Sequence, residues 1–258
     1  MIPLTGKGQA LDGFTFWVVA SLSAFCVGLS KGGAAAFGTL AVPLMSLVIS
    51  PLTAAGLLLP VFIFSDFFGV WAYRQHVNWP VVWIAVVGIV IGTLIGWSTA
   101  HIVSEQHVRI LIGLIGLVFS LNFLLRSDPE GPTRPPNVHK GIFWTTIAGF
   151  TSFVSHAGAP PWQVWALPQR MSKLVFAGTT TMTFAIMNLM KVLPYYHLGQ
   201  LQLQSLKVTA ILCAPAVVAV FVGYHVVRTM PERLFYSIVT WMLLAVSLKL
   251  IWDGITGL

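Results

Sequence analysis

Two stretches of the chain place a cationic or protonatable side chain beside small residues, each inside a long apolar run. The first is Ser30-Lys31-Gly32-Gly33, and the second is Ser155-His156-Ala157-Gly158. Ammonium, imidazole and hydroxyl groups can donate hydrogen bonds. A helix starting after each break would add free backbone N–H groups and the positive end of its dipole. This set of donors is typical of a site for an anion.

Four further side chains within the apolar runs are candidates for the same site. Asp66 lies in the middle of a run, and an acid at that depth is a functional candidate. It is expected either to couple or gate transport as a group that binds a proton or a cation, or to hold Lys31, and a structural hydrogen bond is the alternative. Asn188 and Lys191 share one face of a predicted helix. Lys191 either completes the anion pocket or extends to the outer interface, and Trp162 is expected to wall the cavity.

Each break also has a structural interpretation. Glycine and serine often serve only to let membrane helices pack closely. Lys31 favours function, because a charge at membrane depth is costly unless it is paired, hydrated or used. A lone histidine, such as His156, more often makes only a structural hydrogen bond. Its position at the repeated break favours a proton-sensitive anion ligand, which could also serve coupling or gating.

The composition restricts the class of protein. Of the 258 residues, 57% are hydrophobic and only 8% are charged, whereas soluble domains carry about 25% charged residues. The chain is therefore an integral membrane protein, and its net charge of +7 is assigned to loop orientation signals rather than nucleic-acid binding. Cys26 and Cys213 show neither disulfide nor metal spacing. No cofactor is expected, and the absence of nucleophile, zinc and nucleotide motifs argues against an enzyme.

The sequence pattern predicts two repeats. Residues 1–13 form an N-terminal segment without the features of a secretory signal. Residues 14–125 form the first membrane repeat, 126–140 a proline-rich cytoplasmic linker, and 141–258 the second repeat. The correspondence between the repeats pairs Ser30 with Ser155, Asp66 with Asn188, Tyr73 with Tyr195, and Gly96 with Gly223.

The predicted fold is an all-α polytopic membrane protein with two inverted repeats. In each repeat, three longer runs form transmembrane helices. The two short apolar runs form a broken or re-entrant helix pair, either a hairpin that enters and returns or two tilted spans with a tight turn. The short pair returns the chain to the side it entered. Each repeat then crosses the membrane an odd number of times, so the second repeat is inverted.

Basic residues predict the orientation, because positive loops face the cytoplasm. The inverted topology places eight on one side, namely Arg74, Arg126, Arg134, Lys140, Arg170, Lys173, Arg228 and Arg233. Four lie on the other, namely Lys7, Arg109, Lys207 and Lys249. The first side is therefore predicted to be cytoplasmic, with both termini in the periplasm.

Several motifs together resemble the sulfite exporter TauE/SafE family. The second half carries Ser155-His156-Ala157-Gly158-Ala159-Pro160-Pro161, Leu167-Pro168-Gln169, Phe176-Ala177-Gly178-Thr179 and Asn188-Leu189-Met190-Lys191. The first half carries Gly28-Leu29-Ser30-Lys31-Gly32-Gly33, with Pro43 downstream. The resemblance extends over about residues 14–254. One departure is that Ala157 and Ala159 flank Gly158 where relatives have a fuller glycine run, which bears on substrate size.

The resemblance implies a bacterial inner-membrane permease for sulfur-containing anions such as sulfite or small organosulfonates, including sulfoacetate. We therefore expect a secondary transporter, an exporter, that binds the anion between the two breaks and works by alternating access. The alternatives are a carrier or channel for another small anion, or a membrane subunit that senses an anion without moving it. The partners expected are the anion and the lipid bilayer. Proton coupling, a homo-oligomer, the exact substrate and the direction of transport stay open.

Overall fold

The structure, a computed structural model, describes residues 13–102, 104–126, 135–201 and 206–256. In this part of the chain, ten α-helices and two short 3₁₀ turns account for the regular structure. The predicted N-terminal segment, except Gly13, and most of the predicted linker lie outside the described residues. The helices are α1 Phe14–Lys31, α2 Gly38–Met45, α3 Pro51–Tyr73, α4 Trp79–Ser98, α5 Glu105–Arg126, α6 Val138–Ser155, α7 Ala159–Ala166, α8 Lys173–His197, α9 Leu206–Thr229 and α10 Glu232–Thr256.

Local sequence signals explain where several helices begin. Ser50, Asn78 and Asn137 each accept a hydrogen bond from a backbone N–H of the first turn that follows, and these residue types are preferred at that position. Because Asn137 caps α6, this helix begins at Val138, three residues before the predicted repeat boundary at Gly141.

The all-helical membrane prediction is confirmed in its coarse form. Within the described residues, five helices are long and apolar enough to cross a membrane, namely α1, α3, α4, α9 and α10. The sequence leaves open whether the first short run is re-entrant or spans the membrane, and the 18 residues of α1 extend about 27 Å, long enough for a tilted span. Conversely, α8 has 25 residues but is not one of the five, since a series of polar side chains interrupts its apolar surface. The chain is a multi-pass membrane protein.

The contacts between helices occur in matching pairs. The helix α1 packs on α9, and its counterpart α6 packs on α4, the counterpart of α9. The counterparts α3 and α8 pack on each other, as do α5 and α10. Two five-helix units related by a twofold axis would produce this pattern.

Glycines allow two of these pairs to approach closely. A Cβ atom added to Gly32 on the α1 side would lie 2.7 Å from the Cα atom of Gly223 on α9. In the matching pair, a Cβ atom added to Gly92 on α4 would overlap the backbone of α6 at Thr146. Both crossings therefore exclude larger side chains.

Candidate functional site

The two predicted breaks are present, and each ends a helix at the centre of the bundle. The helix α1 ends at Lys31, and Gly33 then takes a φ of 114°, a conformation that glycine adopts readily. The helix α6 ends at Ser155, and His156 takes the left-handed position with a φ of 54°. That position is usually filled by glycine or asparagine, so the local backbone favours a smaller residue than the histidine that is present.

A buried ion pair connects the first break to α3. The Lys31 ammonium lies 2.8 Å from Oδ1 of Asp66, and both side chains are almost fully buried. The second oxygen of Asp66 accepts a hydrogen bond of 2.7 Å from the Asn188 amide on α8. Asp66 and Asn188, the residues predicted to correspond in the two repeats, therefore touch each other where the two halves meet.

A second cluster surrounds the break after α6. The Lys191 ammonium donates to the hydroxyl of Ser152 at 3.1 Å and to its carbonyl at 3.3 Å, and lies 3.3 Å from Nδ1 of His156. The Tyr195 hydroxyl donates to the carbonyl of Phe153 at 2.8 Å and lies 3.3 Å from Nε2 of His156. Lys191 is fully buried, so it does not extend to the membrane interface.

An enclosed cavity lies between the two clusters. Phe62 stacks on the His156 ring with centroids 5.2 Å apart, and the Lys31 ammonium is 5.1 Å from the same Phe62 ring and 5.7 Å from Phe184. Ammonium groups are attracted to aromatic faces at such distances. The lining residues are Ser30, Lys31, Ala35, Gly38, Thr39, Phe62, Ser152, His156, Ala159, Thr180, Thr181, Phe184 and Asn188.

The cavity has room for little more than water. The space open to the centres of water molecules is about 20 Å³, and one water needs roughly 10–15 Å³ measured in this way. In this conformation, then, the cavity has room for about one or two water molecules.

Backbone donors at the two breaks are fewer than the sequence predicts. In α7 the second and third residues, Pro160 and Pro161, have no N–H, and the N–H of Trp162 already donates to the carbonyl of Gly158. This leaves Gly158 and Ala159 as the donors near the cavity on that side. On the other side, the 3₁₀ turn Ala35–Phe37 has free N–H groups at its start, as any helix does.

The structure brings most of the predicted residues around the cavity. Ser30, Lys31, His156 and Asn188 line it, and Asp66 and Lys191 lie directly behind them. Gly32 offers its carbonyl to the Tyr73 hydroxyl at 2.7 Å.

The remaining predicted residues do not line the cavity. They make hydrogen bonds that hold the backbone of the second break or a neighbouring side chain in place. Ser155 donates to the carbonyl of Thr151, and the carbonyl of Ala157 accepts from the Thr151 hydroxyl. Trp162 donates through its indole N–H to Thr180 at 2.9 Å. Trp162 thus supports a residue that lines the cavity and does not itself line it.

Several lining residues were not predicted. Ser152 lies one helical turn before His156, and Thr180 and Thr181 belong to a run of threonines within an apolar helix; both patterns are visible in the sequence. No comparable signal identifies Phe62 or Phe184 among the 17 phenylalanines. Among the described residues, no group of three His, Cys, Asp or Glu side chains could hold a metal ion.

Comparison with known protein families gives one match, to the model of the sulfite exporter TauE/SafE family, over residues 20–250. The chain belongs to the TauE/SafE family. It is a membrane transporter of the sulfite-exporter type, as the motifs predicted. Comparisons with curated proteins and with solved structures gave no match.

Proposed function

We propose that this TauE/SafE chain exports sulfite or a small organosulfonate such as sulfoacetate across the bacterial inner membrane. The anion binds in the cavity between the two breaks. One observation carries the proposal: two lysines and a single carboxylate are buried around the cavity, where their nominal charges sum to one positive charge. A buried cation without a carboxylate is unfavourable in the membrane, and a bound anion would offset that cost.

The neutral groups of the cavity suit an oxyanion. The hydroxyls of Ser152 and Thr180 accept hydrogen bonds from Lys191 and Trp162 and keep their own O–H to donate to the anion. The hydroxyls of Ser30 and Thr181 also line the cavity but donate to the carbonyls of Val27 and Lys31 in this conformation. The start of α7 adds the backbone N–H groups of Gly158 and Ala159. The phenyl rings of Phe62 and Phe184 exclude water, which strengthens electrostatic interactions with the anion.

We propose that transport proceeds by alternating access between two inverted repeats. The matching helix contacts support the repeats, and an odd number of crossings in each would invert the second. The small size of the closed cavity supports a change of conformation, since an anion could enter or leave only after helices move apart on one side. Broken helices at the midplane between such repeats are a common transporter design.

We further propose that Asp66 and His156 couple or gate the movement. Asp66 bridges the two halves through Lys31 and Asn188, and His156 bridges Phe62 and Tyr195. Protonation of either would alter contacts that hold the cavity closed.

The orientation remains that predicted from charge. Arg74, Lys173 and Arg228 belong to one end of the bundle. The Lys173 ammonium at the start of α8 donates to the carbonyl of Arg228 at 2.8 Å. Arg74 is close to the same end, because the backbone N–H of Asn78, four residues later, donates to Thr179 near the start of α8. We propose that this end is cytoplasmic and that α1 begins and α10 ends at the periplasmic side. Reporter fusions after α10 should be active only as periplasmic reporters.

Flux into liposomes tests the proposal. Purified protein is reconstituted, and uptake of labelled sulfite and sulfoacetate is measured with and without a pH gradient. We expect saturable flux in the wild type, its loss in Lys31→Gln, and its retention in Lys140→Gln, which changes an exposed lysine at the start of α6.

The opposite results have distinct meanings. Flux unchanged in a correctly inserted Lys31→Gln variant would refute the role of Lys31. Absence of flux for both anions, with binding retained, would indicate an anion sensor. Absence of both flux and binding would refute this substrate class.

A further inference from the structure

The buried charges around the cavity are not distributed equally between the two halves. Asp66 in the first half corresponds to Asn188 in the second. Three residues further along each helix, Gly69 corresponds to Lys191. A Cβ atom at Gly69 would lie 3.1 Å from Cβ of Lys31, so Gly69 provides room for the Lys31 side chain. The acid therefore belongs to the first half and the additional base to the second.

The two lysines consequently have different electrical surroundings. Lys31 is paired with Asp66 at 2.8 Å, and the pair has no net charge. The hydrogen-bond partners of Lys191 are the hydroxyl and carbonyl of Ser152 and the His156 ring, which are neutral groups. One ion pair joins Lys31 to Asp66 and another joins Lys249 to Asp253, and neither involves Lys191.

The position of Lys191 relates its charge to the cavity. Lys191 is fully buried, and two of the residues it touches, Ser152 and His156, line the cavity. Its charge therefore acts across a single layer of side chains, in surroundings of low dielectric constant where Coulomb interactions are strong.

We propose that Lys191 supplies the positive charge that the transported anion neutralises, and that the Lys31–Asp66 pair is a neutral scaffold. This inference rests on the proposed function and deepens it. A surplus of one charge matches a singly charged anion, such as hydrogen sulfite, better than a dianion. The proposal also gives a role to a buried lysine without a carboxylate. The lysine destabilises the empty protein, and the bound anion restores stability.

Binding measurements on four proteins in detergent test the charge assignment. Sulfite at pH 6, where the singly charged form predominates, is titrated into the wild type, Lys191→Met, Lys31→Gln, and the double variant Lys31→Gln with Asp66→Asn. The sum of nominal charges is +1 in the wild type and the double variant, and zero in the other two. We expect both proteins with the surplus charge to bind with affinities within about threefold, and the other two to bind at least about tenfold more weakly.

Thermal unfolding gives a second measurement that does not depend on flux. A buried lysine without a carboxylate is costly at membrane depth, and an apolar side chain of similar size removes that cost. We expect Lys191→Met to unfold at a higher temperature than the empty wild type and to gain no stability from sulfite. The matched control Lys249→Met removes a half-exposed lysine that does not line the cavity and should keep the stabilisation by sulfite.

Two results would overturn the inference. One is wild-type affinity in Lys191→Met. The other is loss of binding in the folded double variant, which would show that Lys31 itself is the required charge. If the wild type bound no sulfite at all, the proposed function would fail. Lower stability of Lys191→Met than of the empty wild type would then separately contradict the role of Lys191 as an uncompensated charge.

Discussion

The Tyr73 hydroxyl donates a hydrogen bond of 2.7 Å to the carbonyl of Gly32. This bond joins the last residue of α3 to the break after α1. At the corresponding place in the second half, the Tyr195 hydroxyl donates to Phe153, near the end of α6. Each half thus uses a buried tyrosine to attach a long helix to the broken one.

Replacing Tyr73 by phenylalanine should weaken this attachment. The carbonyl of Gly32 would lose its buried donor, at a cost of about 1 kcal/mol. This corresponds to a decrease of roughly 2–4 °C in the unfolding temperature for a chain of this size. Thermal unfolding in detergent measures the change. Tyr224→Phe is the matched control, since Tyr224 packs against the Tyr73 ring, and an equal decrease there would argue against the role of the hydrogen bond.

The substitution Gly32→Ala should disturb the crossing of α1 and α9. The new Cβ atom would lie 2.7 Å from both the Cα of Gly223 and the carbonyl oxygen of Val220, and backbone atoms cannot move aside easily. We expect a loss of about 1–3 kcal/mol and reduced anion flux. In Gly13→Ala the new Cβ meets no atom within 4 Å, so this control should fold and transport normally.

Asp66→Asn should destabilise the protein more than a matched change elsewhere. It leaves the Lys31 ammonium buried without its counter-charge, and breaking a buried ion pair typically costs about 3–5 kcal/mol. Asp253→Asn removes the carboxylate of the Lys249 pair, but 45% of the Lys249 side chain is exposed and can be hydrated. The control should lose less than about 1 kcal/mol. Denaturant unfolding compares the two, and equal losses would contradict the expectation.

We expect His156 to determine how anion flux varies with pH. The buried His156 ring contacts Phe62, Tyr195 and the Lys191 ammonium, and a second positive charge beside that ammonium is unfavourable. A proton can therefore join the ring only when a change of conformation opens the cavity to water, which would link flux to pH. We expect sulfite flux in His156→Gln to vary less between about pH 5.5 and 8 than in the wild type. His225→Gln changes an exposed histidine and should keep the wild-type profile. An unchanged profile in His156→Gln would place the coupling group elsewhere.

Much of the helical structure is predictable because the apolar runs are long and are interrupted by strong breaking signals. The apolar run at residues 176–196 of the sequence predicts a helix and lies within α8. The two breaks are where Gly32-Gly33 and His156 indicate. Lys31, Asp66 and Lys191 stand out as candidates because charged residues are rare at membrane depth. The family follows from motifs such as that beginning at Ser155.

Other features depend on contacts between distant parts of the chain. No spacing rule specifies that Asp66 binds both Lys31 and Asn188, since the three residues lie on three different helices. Phe62 is one apolar residue among many until α3 and α6 meet. The first apolar run of the sequence ends at Leu29 because Ser30 and Lys31 are polar. Both of these residues are still helical, so α1 extends two residues further than the run predicts.

The small volume of the closed cavity has a consequence for inhibitor discovery. A compound selected to fit the site in this conformation would have to be hardly larger than a water molecule, which leaves too little contact area for useful affinity. Effective ligands must therefore recognise a form that is open to one side of the membrane. A tight-binding antibody or small molecule would consequently hold the transporter in that form and provide a way to determine its structure.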